Sequence, residues 1–160
     1  FKKAKDMLSE LDDKKIKIKW EDFENTLLKE KKRKELIEKT EKLIVESIEL
    51  KDNFRFNELK LRLSNLIEQL TDNDLPEYLK EIKEVESDVI NAEKSYLTTT
   101  QKIDELEKAV KSNREEKKIK EAILNCEELI KLAESVKKID CLEEYSKILP
   151  ILQKNLRLLS

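Results

Sequence analysis

Apolar residues recur at every seventh position between residues 82 and 110, and this repeat limits what the chain can fold into. The row consists of Ile82, Val89, Tyr96, Ile103 and Val110. A second row, three positions later each time, consists of Val85, Ala92, Thr99, Leu106 and Asn113. Spacings of three and four place both rows on one narrow stripe of an α-helix. The stretch is therefore predicted to be a long helix that packs along this stripe against one or two other helices.

The composition supports helices and little else. The chain contains no Gly, the residue that tight β-turns and phosphate-binding loops use most. Charged residues make up 44% of the sequence and hydrophobic residues 38%. This balance is typical of helices that bury one stripe and expose the remaining surface. The predicted fold class is all-α, an elongated antiparallel helical hairpin or coiled-coil bundle.

The first half is predicted to hold helices joined by one extended segment. Residues 14–20 alternate between Lys and apolar residues, and this period of two is typical of a strand. No second strand is predicted, so the segment is expected to be an extended connector; the alternative is an edge strand added to a partner's sheet. Helical spacing resumes near Glu21. At residues 52–53 its phase slips, which favours a bend over a full loop.

The strongest boundary signal lies at residues 71–76, where turn-forming residues precede Pro76. Asp74 is predicted to be the N-cap of the next helix, with Glu77 completing a capping box. Pro76 then occupies the first helical position, where its missing N–H is tolerated. This hinge separates the N-terminal helices, residues 1–75, from a long central helix and C-terminal helical segments, residues 76–160.

The carboxyl half contains one open question and one further apolar row. The polar run at residues 111–118 either forms a turn or belongs to a continuous helix that changes partner. Asp140 is predicted to be a second N-cap, with Glu143 three residues later. Pro150 interrupts the row that follows and predicts a kink or a helix restart. The row keeps a spacing of three and four to the end of the chain: Leu142, Tyr145, Leu149, Leu152, Leu156 and Leu159.

The side chains that most enzymes use are missing from the sequence. There is no His, and Cys126 and Cys141 are too few to complete a zinc site. We therefore predict no catalytic, cofactor-binding or metal-ligating residue, no small-molecule substrate and no enzymatic activity. The two thiols are expected to be buried apolar side chains of a protein of the cytoplasm, with the nucleus as the alternative.

The charges are nearly balanced, with 34 basic and 36 acidic residues. Nucleic-acid binding usually needs a basic excess on one face, so it is not the expected function. No apolar run is long enough to span a membrane. The basic region at residues 14–35 is expected to be a solvated helix face, and the alternative is binding to a nucleic acid or an anionic membrane surface.

Two families resemble the part of the chain that follows residue 76. The chain resembles the N-terminal coiled-coil region of vesicle-tethering proteins, the family shared by exocyst, COG, GARP and Dsl-type complexes. The residues that carry this resemblance are Ala122-Ile123, Leu129-Ile130, Val136, Leu142-Glu143-Glu144-Tyr145 and Leu149 to Leu156. This resemblance implies binding to other tethers and to SNARE proteins through paired helices. A small coiled-coil subunit of the THO mRNA-export complex is similar in Asn113-Arg114-Glu115-Glu116 and Ala122-Ile123.

The sequence thus predicts a non-catalytic helical scaffold that assembles a multiprotein complex of the tethering type. A kinetochore or RNA-export subunit is the alternative. The expected partners are other protein subunits, in a hetero-oligomer rather than a homo-oligomer. The predicted partner-binding residues are Ile82, Val89, Tyr96, Ile103 and Val110 together with the row from Leu142 to Leu159.

Overall fold

The computed structural model describes residues 2–159, with side chains from residue 3 onward. These residues form five α-helices and no strand: α1 (Lys2–Asp52), α2 (Phe56–Asp72), α3 (Pro76–Glu115), α4 (Ile119–Ser135) and α5 (Ile139–Leu159). The predicted all-α class is confirmed. Pro150 lies inside α5, which continues past it.

The first helix corrects two expectations. α1 runs without interruption through residues 14–20, so both the extended connector and the edge strand are wrong. In the helix the backbone groups of this segment bond to one another, which an isolated extended segment cannot achieve. Helix-favouring Lys and Glu residues on both sides extend the same conformation. At residues 52–53 the predicted bend is also wrong, since α1 ends at Asp52 and α2 begins at Phe56.

All four turns between the helices use the same backbone conformation. Each has one residue at positive φ: Phe54 at 59°, Asp74 at 51°, Lys117 at 61° and Lys137 at 55°. Its N–H bonds to the carbonyl three residues back, and the next N–H bonds to the carbonyl five back; at the first turn, Arg55 N lies 2.9 Å from Leu50 O. This is the Schellman ending, which usually has Gly at the left-handed position. With no Gly, the chain accepts a cost of roughly 1–2 kcal/mol at each turn.

The turns correct the two predicted N-caps. Asp74 lies beyond the end of α2 at positive φ, and Leu75 is the residue that directly precedes Pro76, the first residue of α3. Asp140 lies inside the first turn of α5, where its negative charge is favourable near the positive end of the helix dipole. The open question at residues 111–118 is answered by a turn, because α3 ends at Glu115 and α4 begins at Ile119.

The chain divides into two compact units, residues 1–89 and 90–160. The division falls inside α3, because the apolar row of this one helix contributes to two cores. In the first unit, α1 packs against α2. The buried apolar side chains of these two helices are Leu36, Leu43, Leu50, Phe56, Leu59, Leu63, Leu66 and Leu70.

The second unit is built from the rest of α3 together with α4 and α5, and the last two pack closely. Small side chains of α4, Ala122, Cys126 and Ala133, are completely buried and permit this close approach. Leu129 of α4 and Leu152 of α5 add the larger apolar side chains of the core. On the surface, Lys102 Nζ of α3 lies 2.8 Å from Glu128 Oε1 of α4.

Lys117 tests the cost of the turns that lack Gly. Replacing it, Lys117→Gly, removes the Cβ atom from a left-handed residue, so the free energy of unfolding should rise by about 1 kcal/mol. Urea unfolding followed by circular dichroism measures the change. Lys117→Ala keeps Cβ and serves as the control, with an expected change below about 0.5 kcal/mol. An equal gain in both variants would show that the side chain, not the backbone conformation, is responsible.

Candidate partner-binding surfaces

The structure places most of the predicted α3 stripe in the protein's own cores. Ile82, Val89, Ile103 and Val110 are at most 2% exposed, and Tyr96 between them is half-buried. A second protein could contact the four buried side chains only if the helices of the chain separated. These four residues therefore offer no open surface, and binding of a partner to the stripe remains a prediction.

The predicted row on α5 is divided between core and surface. Tyr145 and Leu152 are buried in the second unit; Leu142, Leu149 and Leu156 are half-buried; and Leu159 is exposed. The exposed apolar face of this helix lies one residue away, at Ile151 and Leu158. Their spacing of seven is visible in the sequence, but the adjacent leucine row has more members and masks it.

A groove of about 710 Å³ lies between α3 and α5 within the second unit. Side chains of both charges line it, among them Glu107, Lys108, Arg114 and Glu144, with Tyr145 on one wall. Burial, followed by the nearby charges of Glu107 and Glu144, raises the pKa of Tyr145 to about 12. Its hydroxyl is therefore protonated at neutral pH. The groove presents a wall of mixed charge in which Tyr145 is a neutral phenol.

The two thiols are free and buried in the second unit. The Cys126 thiol donates to the carbonyl of Tyr145 at 3.4 Å, and the Cys141 thiol donates to Glu107 Oε1 at 2.7 Å. Burial, and then the hydrogen bond to Glu107, raises the pKa of Cys141 to about 11. Burial also raises the pKa of Cys126. Both groups are neutral thiols at pH 7, and the neutral thiol is a poor nucleophile.

The first part of α1 is exposed along its whole length. Every side chain at residues 3–35 is exposed, and this segment is named the arm. Its large apolar members are Met7, Leu8, Leu11, Ile16, Ile18, Trp20, Phe23, Leu27 and Leu28. Such an apolar surface on a helix without a neighbour is typical of an interaction site.

Four of the arm's apolar residues share one face of the helix. Ile16, Trp20, Phe23 and Leu27 follow one another at spacings of four, three and four, and they are named the arm stripe. The rings of Trp20 and Phe23 meet edge to face with their centroids 5.9 Å apart. Ile16, Lys19, Trp20 and Phe23 line a shallow groove of about 290 Å³. The interpretation of residues 14–20 as an extended connector concealed this spacing.

Neither a metal site nor a membrane span is found in the described chain. Between residues 2 and 159, no three Cys, Asp or Glu side chains come together so that they could hold a metal ion. The helices of the same residues are all too short or too polar to cross a bilayer. Comparison with family models, curated proteins and solved structures found no match to this chain. The class that the structure defines is thus an all-α protein with an exposed helical arm.

The raised thiol pKa can be measured directly. In a Cys126→Ala background, ultraviolet titration of the thiolate should give Cys141 a pKa of about 11. An unfolded thiol ionises near pH 9, so stability should fall as the pH rises from about 9 to about 11, because the unfolded state binds fewer protons there. Glu107→Gln removes a negative charge and the carboxylate acceptor, so it should lower this pKa, while burial keeps it above the unfolded value. A native pKa near 9 would contradict the structure.

Proposed function

We propose that this protein is a non-catalytic scaffold or interaction subunit that assembles a multiprotein complex through helix packing. The observation that carries the proposal is the arm, a long helix whose side chains at residues 3–35 are all exposed although nine of them are large and apolar. Helices in proteins owe most of their stability to tertiary packing of an apolar face rather than to intrinsic propensity. A neighbouring helix from another chain supplies that packing.

A second surface for a partner lies on α5. Ile151 and Leu158 are 51% and 77% exposed and occupy one face, seven residues apart. Leu156 and Leu159 lie beside this face, half-buried and exposed respectively. A different protein subunit that packs a helix here would bury all four side chains. The α5 surface is the place at which we expect a hetero-oligomeric contact.

The proposed setting is a complex of the tethering type in the cytoplasm, in which elongated subunits join one another through paired helices. The resemblance of residues 122–156 to such proteins supports this setting, and the exposed faces on α1 and α5 fit it. A kinetochore or RNA-export subunit would use the same surfaces in the same way. The identity of the co-purified subunits distinguishes these settings.

Two exposed residues test the α5 surface. Ile151→Glu together with Leu158→Glu introduces charges into the proposed contact, so the tagged chain should lose its co-purifying subunits, which quantitative mass spectrometry measures. Helicity and thermal stability should stay close to those of the parent chain because neither side chain belongs to the core.

The matched control is Val45→Glu, which changes a residue that is 70% exposed on α1 and should retain the partners. Leu152 is unsuitable as an interface variant. It is 1% exposed, and its truncation to Ala should lower the free energy of unfolding by about 2–5 kcal/mol. Unchanged recovery of all subunits by the double variant would show that α5 is not the hetero-oligomeric contact.

The rival function is binding of anionic surfaces by the arm. Residues 14–35 contain nine basic and five acidic side chains, and the structure exposes all of them on a helix. Our proposal predicts weak retention on heparin that is nearly the same after Lys31, Lys32, Arg33 and Lys34 are changed to Glu. Strong, salt-sensitive retention that these four substitutions abolish would favour the rival, because phosphate-like contacts release counterions.

A further inference from the structure

The arm stripe faces away from the core that the rest of α1 helps to build. Leu27, the last stripe residue, and Leu36, the first buried residue of α1, are nine positions apart. Nine residues are about two and a half helical turns, so these side chains lie on opposite faces. The four stripe residues remain 49–60% exposed. The face of α1 that forms the first unit therefore cannot also cover the stripe.

The charges beside the stripe alternate in sign. On one side they occur every seven residues at Glu10, Lys17, Glu24 and Lys31. On the other side the corresponding positions are Asp12, Lys19, Thr26 and Arg33. Positions that flank an apolar stripe in this way determine which helices pair and in which orientation. A flank of uniform charge would need a partner of the opposite charge, whereas an alternating flank is complementary to a copy of itself.

We propose that the arm stripe binds the arm stripe of a second copy of this chain, with the two helices antiparallel. This inference rests on the proposed role of the arm as an assembly element and names its partner. In this arrangement Trp20 packs opposite Phe23 of the second copy, and Ile16 packs opposite Leu27. Each layer then combines two side chains of different shape, and the two aromatic pairs lie at the centre, where burial contributes most.

The antiparallel arrangement brings opposite charges together along both flanks. Lys17 lies beside Glu24 of the second copy, Glu10 lies beside Lys31, and Asp12 lies beside Arg33. Two-fold symmetry repeats each pair, as an isologous contact requires. Lys19 meets the neutral Thr26. No flanking pair in this register brings two charges of the same sign together.

The ends of the stripe favour the antiparallel orientation over the parallel one. Continued at the same spacing, the stripe reaches Asp13 at one end and Glu30 and Lys34 at the other. Parallel helices would place all three against their own copies. Antiparallel helices place Lys34 against the neutral Ser9. The one contact between like charges that remains within the stripe is that of Asp13 with Glu30. Opposed helix dipoles also favour the antiparallel orientation.

The size of the contact predicts its strength. Eight apolar side chains, each still exposing on the order of 100 Å², would bury about 800 Å² of apolar surface, with the stems of the flanking Lys residues adding to it. The apolar area alone lies below the roughly 1,200 Å² in total at which the range for stable specific interfaces begins, in the region of weak, transient contacts. The dimer should therefore dissociate in the micromolar range rather than in the nanomolar range.

The first experiment measures the mass of the purified full chain by sedimentation velocity at concentrations from about 1 µM to about 500 µM, a range set by the expected affinity. The parent chain should pass from monomer to dimer. Ile16→Glu should remain monomeric throughout, because it places a charge in the contact. Ile18→Glu is the matched control, since Ile18 is 58% exposed but lies off the stripe, and it should dimerise like the parent.

Circular dichroism establishes that the variants keep their helices, because both side chains are exposed and neither core loses an atom. A parent chain that stays monomeric at the highest concentration overturns the proposal, as does equal dimerisation of the two Glu variants. Neither result affects the proposed scaffold function, which is tested by co-purification of different subunits through α5. Conversely, if the chain dimerises but no other subunit co-purifies with it, the self-pairing of the arm is supported and the proposed scaffold function is not.

The second experiment tests the orientation by exchanging charges. Lys17→Glu and Glu24→Lys should each weaken the dimer about threefold to tenfold, because each converts two attractive pairs into repulsive ones. Together they restore opposite charges between Lys17→Glu of one copy and Glu24→Lys of the other, so the double variant should return to within about twofold of the parent.

In parallel helices, residue 17 would instead lie beside Asp12 of the second copy, and residue 24 would lie beside Lys19. The double variant would then carry two repulsive pairs on each side and dimerise more weakly than either single variant. Recovery by the double variant supports the antiparallel contact. Additive weakening overturns it and assigns the parallel orientation to the arm.

Discussion

Both units of this protein depend on burial of the apolar row along α3. Ile82 and Val89 are completely or almost completely buried in the first unit, and Ile103 and Val110 are equally buried in the second. Burying each such side chain contributes about 1.5–3 kcal/mol. Because one helix supplies both contributions, a substitution in α3 affects the unit to which its own part of the row belongs. The residues at heptad spacing on α3 thus form cores within the chain itself.

The turns show how a chain without Gly can still reverse its helices. Phe54, Asp74, Lys117 and Lys137 accept the left-handed conformation, and two backbone hydrogen bonds at each turn satisfy carbonyls that a helix end leaves unpaired. Packing of the helices that follow compensates for the unfavourable φ. Residues 2–159 contain no β-hairpin, and the helices nevertheless end sharply without Gly.

The contrast between the two ends of α1 is the basis for the functional proposals. From Leu36 onward, α1 buries one face in the first unit, while the arm buries none. The arm stripe lies on the opposite face and has flanking charges that match a second copy. On α5 the exposed face at Ile151 and Leu158 is separate from the residues that form the core. Under our two proposals, the arm pairs with a second copy and α5 with another subunit, an arrangement suited to assembling a larger complex.

The sequence by itself determined the helical class, the break before Pro76 and the long helix after it, because these follow from local periodicity and from the missing N–H of proline. Only tertiary packing decided which apolar rows are core. The α3 stripe and Leu152 look like binding surfaces when each helix is considered alone, and they become interior once neighbouring helices cover them. The alternation at residues 14–20 is typical of a strand locally, but in the folded chain the segment continues the helix formed by the residues on both sides of it. That outcome places Ile16, Trp20, Phe23 and Leu27 on one exposed face.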